Sequence, residues 1–380
     1  MRLALVGFQT WGAKSSELYH IGKRALERGV LKRVLCRFST ERSDIVTKEP
    51  LFIRLFELFS SKISKILENF VARYYSEHLL FDLFARGMIE RDVDTILFTS
   101  SGLVRCLEKA KSMAITTVIL HRTLHPQHVC DILTQEKRKF NLNEKSVLIH
   151  RKAILSKIKA LENCDYIFTL SKLEMQSLCE YGIPDSKIIP LNYGSGVDLN
   201  FFRPPKNKPE EPFTVLFLGN KSLIKGVPYL LIAWKKLNIK NAKLIVAGKQ
   251  NKRLINIFRR AVHFDAVGHV KPLKYYQKAH VFILPSLGEP FPRVVLEAMA
   301  CGLPVIISNA VGAKEIIKEG KEGFIIPPRD VKAIMDRIQY FYDNPSEIKR
   351  MGRNARKKAE QYPWEKFSEE VLKKLSELIH

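Results

Sequence analysis

Along the chain, short apolar runs rich in β-branched residues alternate with stretches whose apolar positions recur at helical spacing. In the first half these runs are "RLALVG", "RVLCRF", "TILFTS", "TTVILH" and "YIFTLS". In the second half they are "TVLFLG", "AKLIVAG", "FDAVGH", "HVFILPS", "LPVIIS" and "EGFIIP". Strands buried on both faces read as continuous apolar runs, and intervening helices supply the crossovers of a parallel sheet. The pattern therefore predicts two doubly wound α/β domains, residues 1–203 and 204–362. The prolines and mixed charges of "FFRPPKNKPEEPF" prevent a packed element and mark the linker between them. The closing "YPWEKFSEEVLKKLSELIH" predicts a helix over 363–380, anchored by Trp364 and packed back on the first domain. Sheets of this kind bind ligands beyond the carboxyl ends of their strands, so a cleft between two facing domains is the expected site.

Composition agrees with two cores and narrows the class. A chain of 380 residues is too long for one ordinary core, and 46% apolar with 27% charged residues is the balance of a soluble globular protein. "MRLALVGFQ" reads as a first strand, because a signal peptide needs a longer apolar stretch and a small-residue cleavage site. No apolar run approaches the ~20 residues that span a bilayer, and a cytoplasmic protein is expected. The six cysteines show no CxxC spacing, which suggests neither a disulfide framework nor a zinc site. The net charge of +24 draws the chain toward polyanions, whether nucleic acid, an anionic membrane surface or phosphorylated substrates, without choosing among them.

An insertion, Pro50–Asp92, interrupts the first half. Phe52, Leu55, Phe56, Phe59, Ile63, Ile66, Phe70 and Tyr74 recur at helical spacing, flanked by Arg54, Lys62, Lys65 and Arg73. Two readings fit: a helix pair facing the core, or a basic amphipathic surface resting on anionic lipid.

The stretch that carries most chemistry is "SLGEPFPRVVLEAMACGLPVIISNAVG", Ser286–Gly312. Glu289 follows an apolar run and belongs on a loop at a strand's carboxyl end. Pro292 suits the start of a helix, where its missing N–H is not needed, so Glu297 falls about one turn into that helix. The two carboxylates can then hold different parts of one extended ligand, a sugar at one and a nucleoside at the other. The helix N-terminus between them suits a phosphate.

Glu289-x7-Glu297 in "GEPFPRVVLEAMACGLPVI", the upstream "IKG" and "SGVDLNFFRP" before the linker together resemble the retaining glycosyltransferases of family 4. The resemblance covers nearly the whole chain, is strongest from Tyr166 to Pro328, and implies the GT-B fold of two facing Rossmann-like domains. It implies that Glu289 contacts donor-sugar hydroxyls, that Glu297 accepts from the ribose hydroxyls, and that Lys225 holds the donor diphosphate. The ordinary alternative for Lys225 is a solvated lysine at a helix start, a position that opposes the helix dipole. Phe291, Arg293 and Val294 fall in the same donor motif. Gly219 is the strand-end glycine after which the family has an arginine; here Asn220 stands there, with Lys221 beside it as a substitute cation. The family's Gly-rich loop in the first domain corresponds to Gly12 and Ala13, which let backbone approach a phosphate or sugar.

His121 ends the run "TTVILH" and matches the family histidine near the sugar's reacting face; a strand-end histidine is otherwise often a hydrogen-bonded core residue. Arg122 stands where many members have a carboxylate, which suggests an anionic acceptor. His125 and His128 lack partners at metal-ligand spacing. Asp92-Val93-Asp94 resembles a DxD metal motif but precedes its strand and so lies at the wrong end of the sheet. No metal and no cofactor is expected, the nucleotide sugar being a substrate.

These readings converge on a retaining hexosyltransferase that moves a sugar from a nucleotide-diphosphate sugar to a lipid-linked or other envelope glycan acceptor. An anionic membrane surface is an expected partner and peripheral attachment to the cytoplasmic face the expected location. Two rivals stand beside it. A nucleotide-sugar epimerase of the same fold would need no acceptor site. A basic nucleic-acid-binding protein would explain the charge, but no zinc-finger, RRM, KH or basic-region motif supports it, and no nucleic-acid partner is expected.

Overall fold

The computed structural model describes residues 1–11, 16–39, 44, 46–48, 70–142, 150–207, 210–219, 222–248, 265–267 and 271–378. The chain divides into two compact units. The first contains Met1–Asp131, Asn143–Tyr193 and Glu365–His380; the second contains Ile132–Leu142 and Gly194–Trp364.

The first unit is built on a parallel sheet of seven described strands: β1 (Leu3–Trp11), β2 (Leu31–Ser39), β3 (Val46–Lys48), β4 (Thr95–Phe98), β5 (Thr116–Leu120), β6 (Tyr166–Thr169) and β7 (Ile188–Pro190). Their spatial order is β3-β2-β1-β4-β5-β6-β7. The second unit has β8 (Phe213–Leu218), β9 (Ala242–Ala247), β10 (Asp265–Val267), β11 (Val281–Leu284), β12 (Val305–Ser308) and β13 (Gly323–Ile326), in the order β10-β9-β8-β11-β12-β13. Each sheet is wound outward from its first strand and then back past it. The order reverses between β1 and β4 in one unit and between β8 and β11 in the other, and such reversal points open a crevice at the strands' carboxyl ends.

Central strands such as β4, β11 and β12 are buried along their whole length, which explains their unbroken apolar sequence. The first unit's core joins Val6, Phe98, Ile119 and Ile167 from the sheet to Phe81, Leu107 and Leu161 from the helices. Each such side chain stabilises the fold by about 1.5–3 kcal/mol when fully buried. Several helices start at a side-chain cap: Ser16 accepts from Tyr19 N ahead of Glu17–Glu27, Ser171 from Glu174 N, and Asp330 from Ala333 N.

The pattern did not indicate β3 and β7. Both are three-residue strands at the sheet's edges, too short to carry a period. Gly194–Arg203 groups with the second unit, although the proline-rich stretch after it suggested a boundary at 203. The contacts give the reason. Val197 N donates to Tyr362 O at 3.0 Å, Gly196 lies so near Trp364 that a Cβ would fall 2.6 Å from its Cα, and Phe202 O accepts from Arg356 Nη1 at 2.8 Å. Ile132–Leu142 also groups with the second unit; its buried Glu136 accepts from Tyr229 Oη and Arg329 Nε, both at 2.7 Å. Glu365–His380 groups with the first unit, where Glu370 accepts from the backbone N–H of Asn192 and Tyr193 at 2.8 and 2.9 Å.

Of the insertion, the helix Phe70–Gly87 is described, and Phe81 and Ala85 are fully buried in the first unit's core. The stretch 50–69, with Arg54, Lys62 and Lys65, lies outside the described residues. Among the described residues no helix is long and apolar enough to cross a membrane.

Candidate functional site

In the second unit the reversal point is furnished by two loops. After β8 the chain makes a 3-10 turn, Leu223–Lys225, then passes through Gly226 at φ 69° into the helix Val227–Leu237. A side chain is excluded at Gly226 on two counts: the left-handed backbone, and Pro285 O, which a Cβ would meet at 1.9 Å. Leu223 and Ile224 anchor the turn in the core, and Leu287 N donates to Ile224 O at 2.7 Å. The loop after β11 is thereby fastened to the loop after β8.

Glu289 belongs to that second loop. Its N–H donates to Ala310 O at 3.0 Å and its carbonyl accepts from Gly312 N at 2.8 Å, so the segment following β12 holds it on both sides. The Glu289 carboxylate meets the Lys225 ammonium in an ion pair, each side chain less than a fifth exposed. Ser286 Oγ donates to the same Glu289 oxygen at 3.3 Å. Opposite charges held together offset part of the cost of taking each out of water.

Glu297 takes a different partner. It lies in the helix Arg293–Ala300, whose N-terminus at Pro292 has no side-chain cap, and its Oε2 accepts from Tyr276 Oη at 2.9 Å. Burial pushes the Glu297 carboxyl above its ordinary range, while the Arg293 charge and the Tyr276 hydrogen bond pull the other way. Tyr276 itself is fully buried, and burial together with the Glu297 charge holds its hydroxyl protonated well beyond the usual range. Phe291 is buried, while Arg293 and Val294 are half-buried on the helix's first turn. Gly219 closes β8 with its N–H on Ala247 O at 3.0 Å. Gly12, Ala13, Asn220 and Lys221 lie outside the described residues.

The first unit places His121 directly after β5, with its N–H on Phe168 O at 2.9 Å. The imidazole is 2% exposed and its Nε2 lies 3.4 Å from Thr123 Oγ1. Burial, then the nearby Lys157, His125 and Arg122 charges, lower its pKa to about 3, so at neutral pH it is an uncharged ring. Arg122 is drawn inward: Nη1 donates to Glu17 Oε2 at 2.8 Å and Nη2 to Thr99 O at 3.1 Å. Glu17 begins its helix beside Ser16, a position that favours an acid for reasons of helix polarity alone.

The structure thus brings Lys225 to Glu289 and keeps Glu297 apart on Tyr276. Sequence reasoning missed Tyr276 and Glu17, because "LKYYQK" and a first-turn glutamate look like ordinary helix residues. His125 stacks on Tyr181 with ring centroids 4.6 Å apart, and no group of three metal-ligating side chains occurs among the described residues. Asp92 and Asp94 pair with Arg33 at 3.2 Å and Arg2 at 2.7 Å ahead of β4, away from the strands' carboxyl ends.

Residues 199–358, which hold Lys225, Glu289 and Glu297, match the family model described as Glycosyl transferases group 1. Over that segment the chain resembles the glycosyltransferases of this group. It is 29% identical over 226 residues to an uncharacterized glycosyltransferase of Haemophilus influenzae, covering 57% of this chain and 62% of that protein. It is 28% identical over 238 residues to the Staphylococcus aureus capsular polysaccharide biosynthesis glycosyltransferase CapM, with 58% and 62% covered. The chain spans about three fifths of the length of these curated relatives. The crystal structure of Anabaena Alr3699/HepE in complex with UDP and glucose superposes with a TM-score of 0.66 at 15% identity, covering 99% of each chain. The chain therefore has the GT-B class of α/β fold, with two Rossmann-like units, that the motifs implied.

Proposed function

We propose that the chain is a nucleotide-sugar-dependent glycosyltransferase that retains anomeric configuration, its donor held by the second unit and its acceptor by the first. The observation that carries this reading is the Lys225–Glu289 pair at the β8/β11 reversal point, inside the segment that matches the glycosyltransferase model. Two opposite charges fixed at a strand-end crevice are the complement of a sugar diphosphate. On donor entry Lys225 exchanges Glu289 for phosphate oxygens, and Glu289 turns its acceptor oxygens to the sugar hydroxyls. Glu297, already accepting from Tyr276, has further acceptor capacity for the ribose hydroxyls.

The reaction breaks the anomeric carbon–phosphate oxygen bond and forms a bond from the acceptor oxygen on the same face. The acceptor proton passes to the leaving phosphate oxygen. Negative charge accumulates on the diphosphate, where a preorganised ammonium in a partly dry site stabilises it more than water does. Neutral His121 lines the acceptor side as a hydrogen-bonding group rather than a charge. The acceptor is a lipid-linked or envelope glycan, in keeping with the capsular polysaccharide role of CapM and the chain's charge of +24. The enzyme works at the cytoplasmic face of the membrane, and no metal takes part.

The test is thermal stabilisation by uridine, guanosine and adenosine diphosphates, followed by transfer from the matching sugar donor. A ligand at 100 times its Kd adds about 2.7 kcal/mol. No stabilisation by any of the three, with no transfer or donor hydrolysis, rejects the assignment; an inverted anomer in the product rejects retention alone.

A further inference from the structure

The first unit contains a small pocket, partly open to solvent, that the proposed function does not use. His78, Asp82, Gly102, Arg105, Ser156 and Lys157 line it. They come from the helix Phe70–Gly87, the loop that leaves β4, the helix Val104–Ser112 and the helix Arg151–Asn163. Gly102 thus puts the pocket next to the loop that leaves the carboxyl end of β4, one of the two strands at the β1/β4 reversal.

Its charges do not cancel. Asp82 is buried and committed: its two oxygens accept from the backbone N–H of Arg105 at 3.0 Å and of Cys106 at 2.9 Å, and Arg105 Nη1 stands 3.8 Å away. Lys157 is different. Among the described residues its ammonium has no hydrogen bond and no ion pair, although burial is strong enough to hold its pKa below the ordinary lysine value. Its charge is also felt at His121. A half-buried ammonium that lines a pocket without a hydrogen bond or ion pair leaves a positive charge that an incoming anion can pair with.

We propose that this cavity is the subsite for an oxyanion, a phosphate or carboxylate carried by the acceptor, with Lys157 as its counter-charge and Arg105 at its rim. The word acceptor rests on the glycosyltransferase reading; the anion site itself does not. Ser156 offers a hydroxyl donor, and Gly102 leaves space, since a Cβ there would meet nothing closer than His78 Nδ1 at 3.7 Å. The adjacency to His121 puts the anionic end of the acceptor next to the group proposed at the reacting face.

The experiment uses the full chain carrying Lys225→Ala, which removes the donor-side cation, and titrates inorganic phosphate and acetate by calorimetry. Saturable binding of one of them is expected, weakened about 10- to 100-fold by Lys157→Met, as for loss of one charge-assisted contact. Lys157→Met should melt no lower than its parent, because no hydrogen bond or ion pair is lost. Gly102→Leu fills the cavity without touching a charge and should abolish binding as well, which keeps the test valid if either variant folds poorly. Phosphate preference identifies a phosphorylated acceptor and acetate preference an acidic sugar. Binding of neither anion, or equal binding by parent and both variants, overturns the proposal. Nucleoside diphosphate affinity, measured with Lys225 intact, should be unchanged by Lys157→Met. If no nucleotide binds while the Lys157 effect persists, the donor reading falls and the anion site stands.

Discussion

Around the β8/β11 reversal point the acidic and basic side chains named above have partners within the second unit: Lys225 meets Glu289, and Glu297 accepts from Tyr276. In the first unit, past β4 and β5, the imidazole of His121 is neutral, and Lys157 makes no hydrogen bond or ion pair among the described residues. A ligand entering the second unit must therefore exchange partners with a preformed pair, whereas a ligand entering the first supplies a missing one. The exchange explains how a site can hold both signs of charge without collapsing the fold. On the proposed function it also makes the paired site a fixed template for the donor, built into loops that the sheet holds in register. On the proposed anion subsite, the missing partner would make affinity in the first unit depend on the acceptor's own charge.

The comparison breaks most visibly at Lys225. Lys225→Ala should slow transfer by roughly 10²–10³ at saturating donor, the range for removing one preorganised charge stabiliser. Melting should change little, because Glu289 keeps Ser286 as a donor and stays partly hydrated. Near-normal turnover, measured by product release, would make the pair structural and dissolve the contrast with the first unit.

A smaller loss is expected at Glu297, and it separates binding from stability. Glu297→Gln should weaken nucleoside diphosphate binding by about 1.5–3 kcal/mol, the worth of a charged hydrogen bond. The same change should leave stability at neutral pH unchanged or raised. Burial lifts the folded carboxyl's pKa above its unfolded value, so the folded state binds the proton more tightly and loses stability as pH rises through that interval. The amide removes this burden while still accepting from Tyr276. Calorimetry showing unaltered affinity, with the fold intact, assigns Glu297 to the core.

How much of this was readable beforehand follows from where the physics is local. The strands announced themselves because central parallel strands are apolar throughout; Glu289 stood out because it follows an apolar run and so falls on a strand-end loop, and Lys225 because its motif resembles that of a known family. The partners were not readable. Tyr276 lies 21 residues before Glu297 and Glu17 lies 105 residues before Arg122, pairs that exist only once the sheets are assembled. Lys157 was invisible for the converse reason: its significance is an absent counter-charge, and the sequence around it, "SKIKA", is that of any amphipathic helix. The edge strands β3 and β7 were missed because three residues carry no period.

A weaker effect concerns the basic insertion, which belongs to the first unit's side of the contrast. If the acceptor is lipid-linked, the enzyme should cosediment with anionic vesicles and not with neutral ones, and high salt should release it. Each basic residue near such a surface contributes about 1 kcal/mol, so Lys62→Glu combined with Lys65→Glu should reduce the bound fraction without altering nucleotide affinity. Equal partitioning to both vesicle types, or to neither, rejects membrane attachment and leaves the transferase reading in place.

The smallest effect on turnover is expected from protonation of His121, and its value lies in the difference between two pH profiles. With a folded pKa of about 3 against an ordinary 6.5, the ring stays neutral from pH 5 to 8, so transfer should show no ionisation attributable to it in that range. Stability should behave otherwise. Above pH 6.5 neither folded nor unfolded chain protonates this ring. Between 6.5 and 3 the unfolded chain takes up the proton and the folded chain does not, so stability falls steadily as the solution is acidified. His125, lowered to about 4 mainly by its own burial, adds to the same slope. Urea unfolding at pH 7, 6, 5 and 4 should therefore show a steep acid loss that is shallower in His121→Gln. An unchanged slope in the variant, or a rate inflection near pH 6.5 that His121→Gln removes, would mean that the ring titrates in the folded protein. The first unit would then present a switchable charge beside Lys157 rather than a neutral wall.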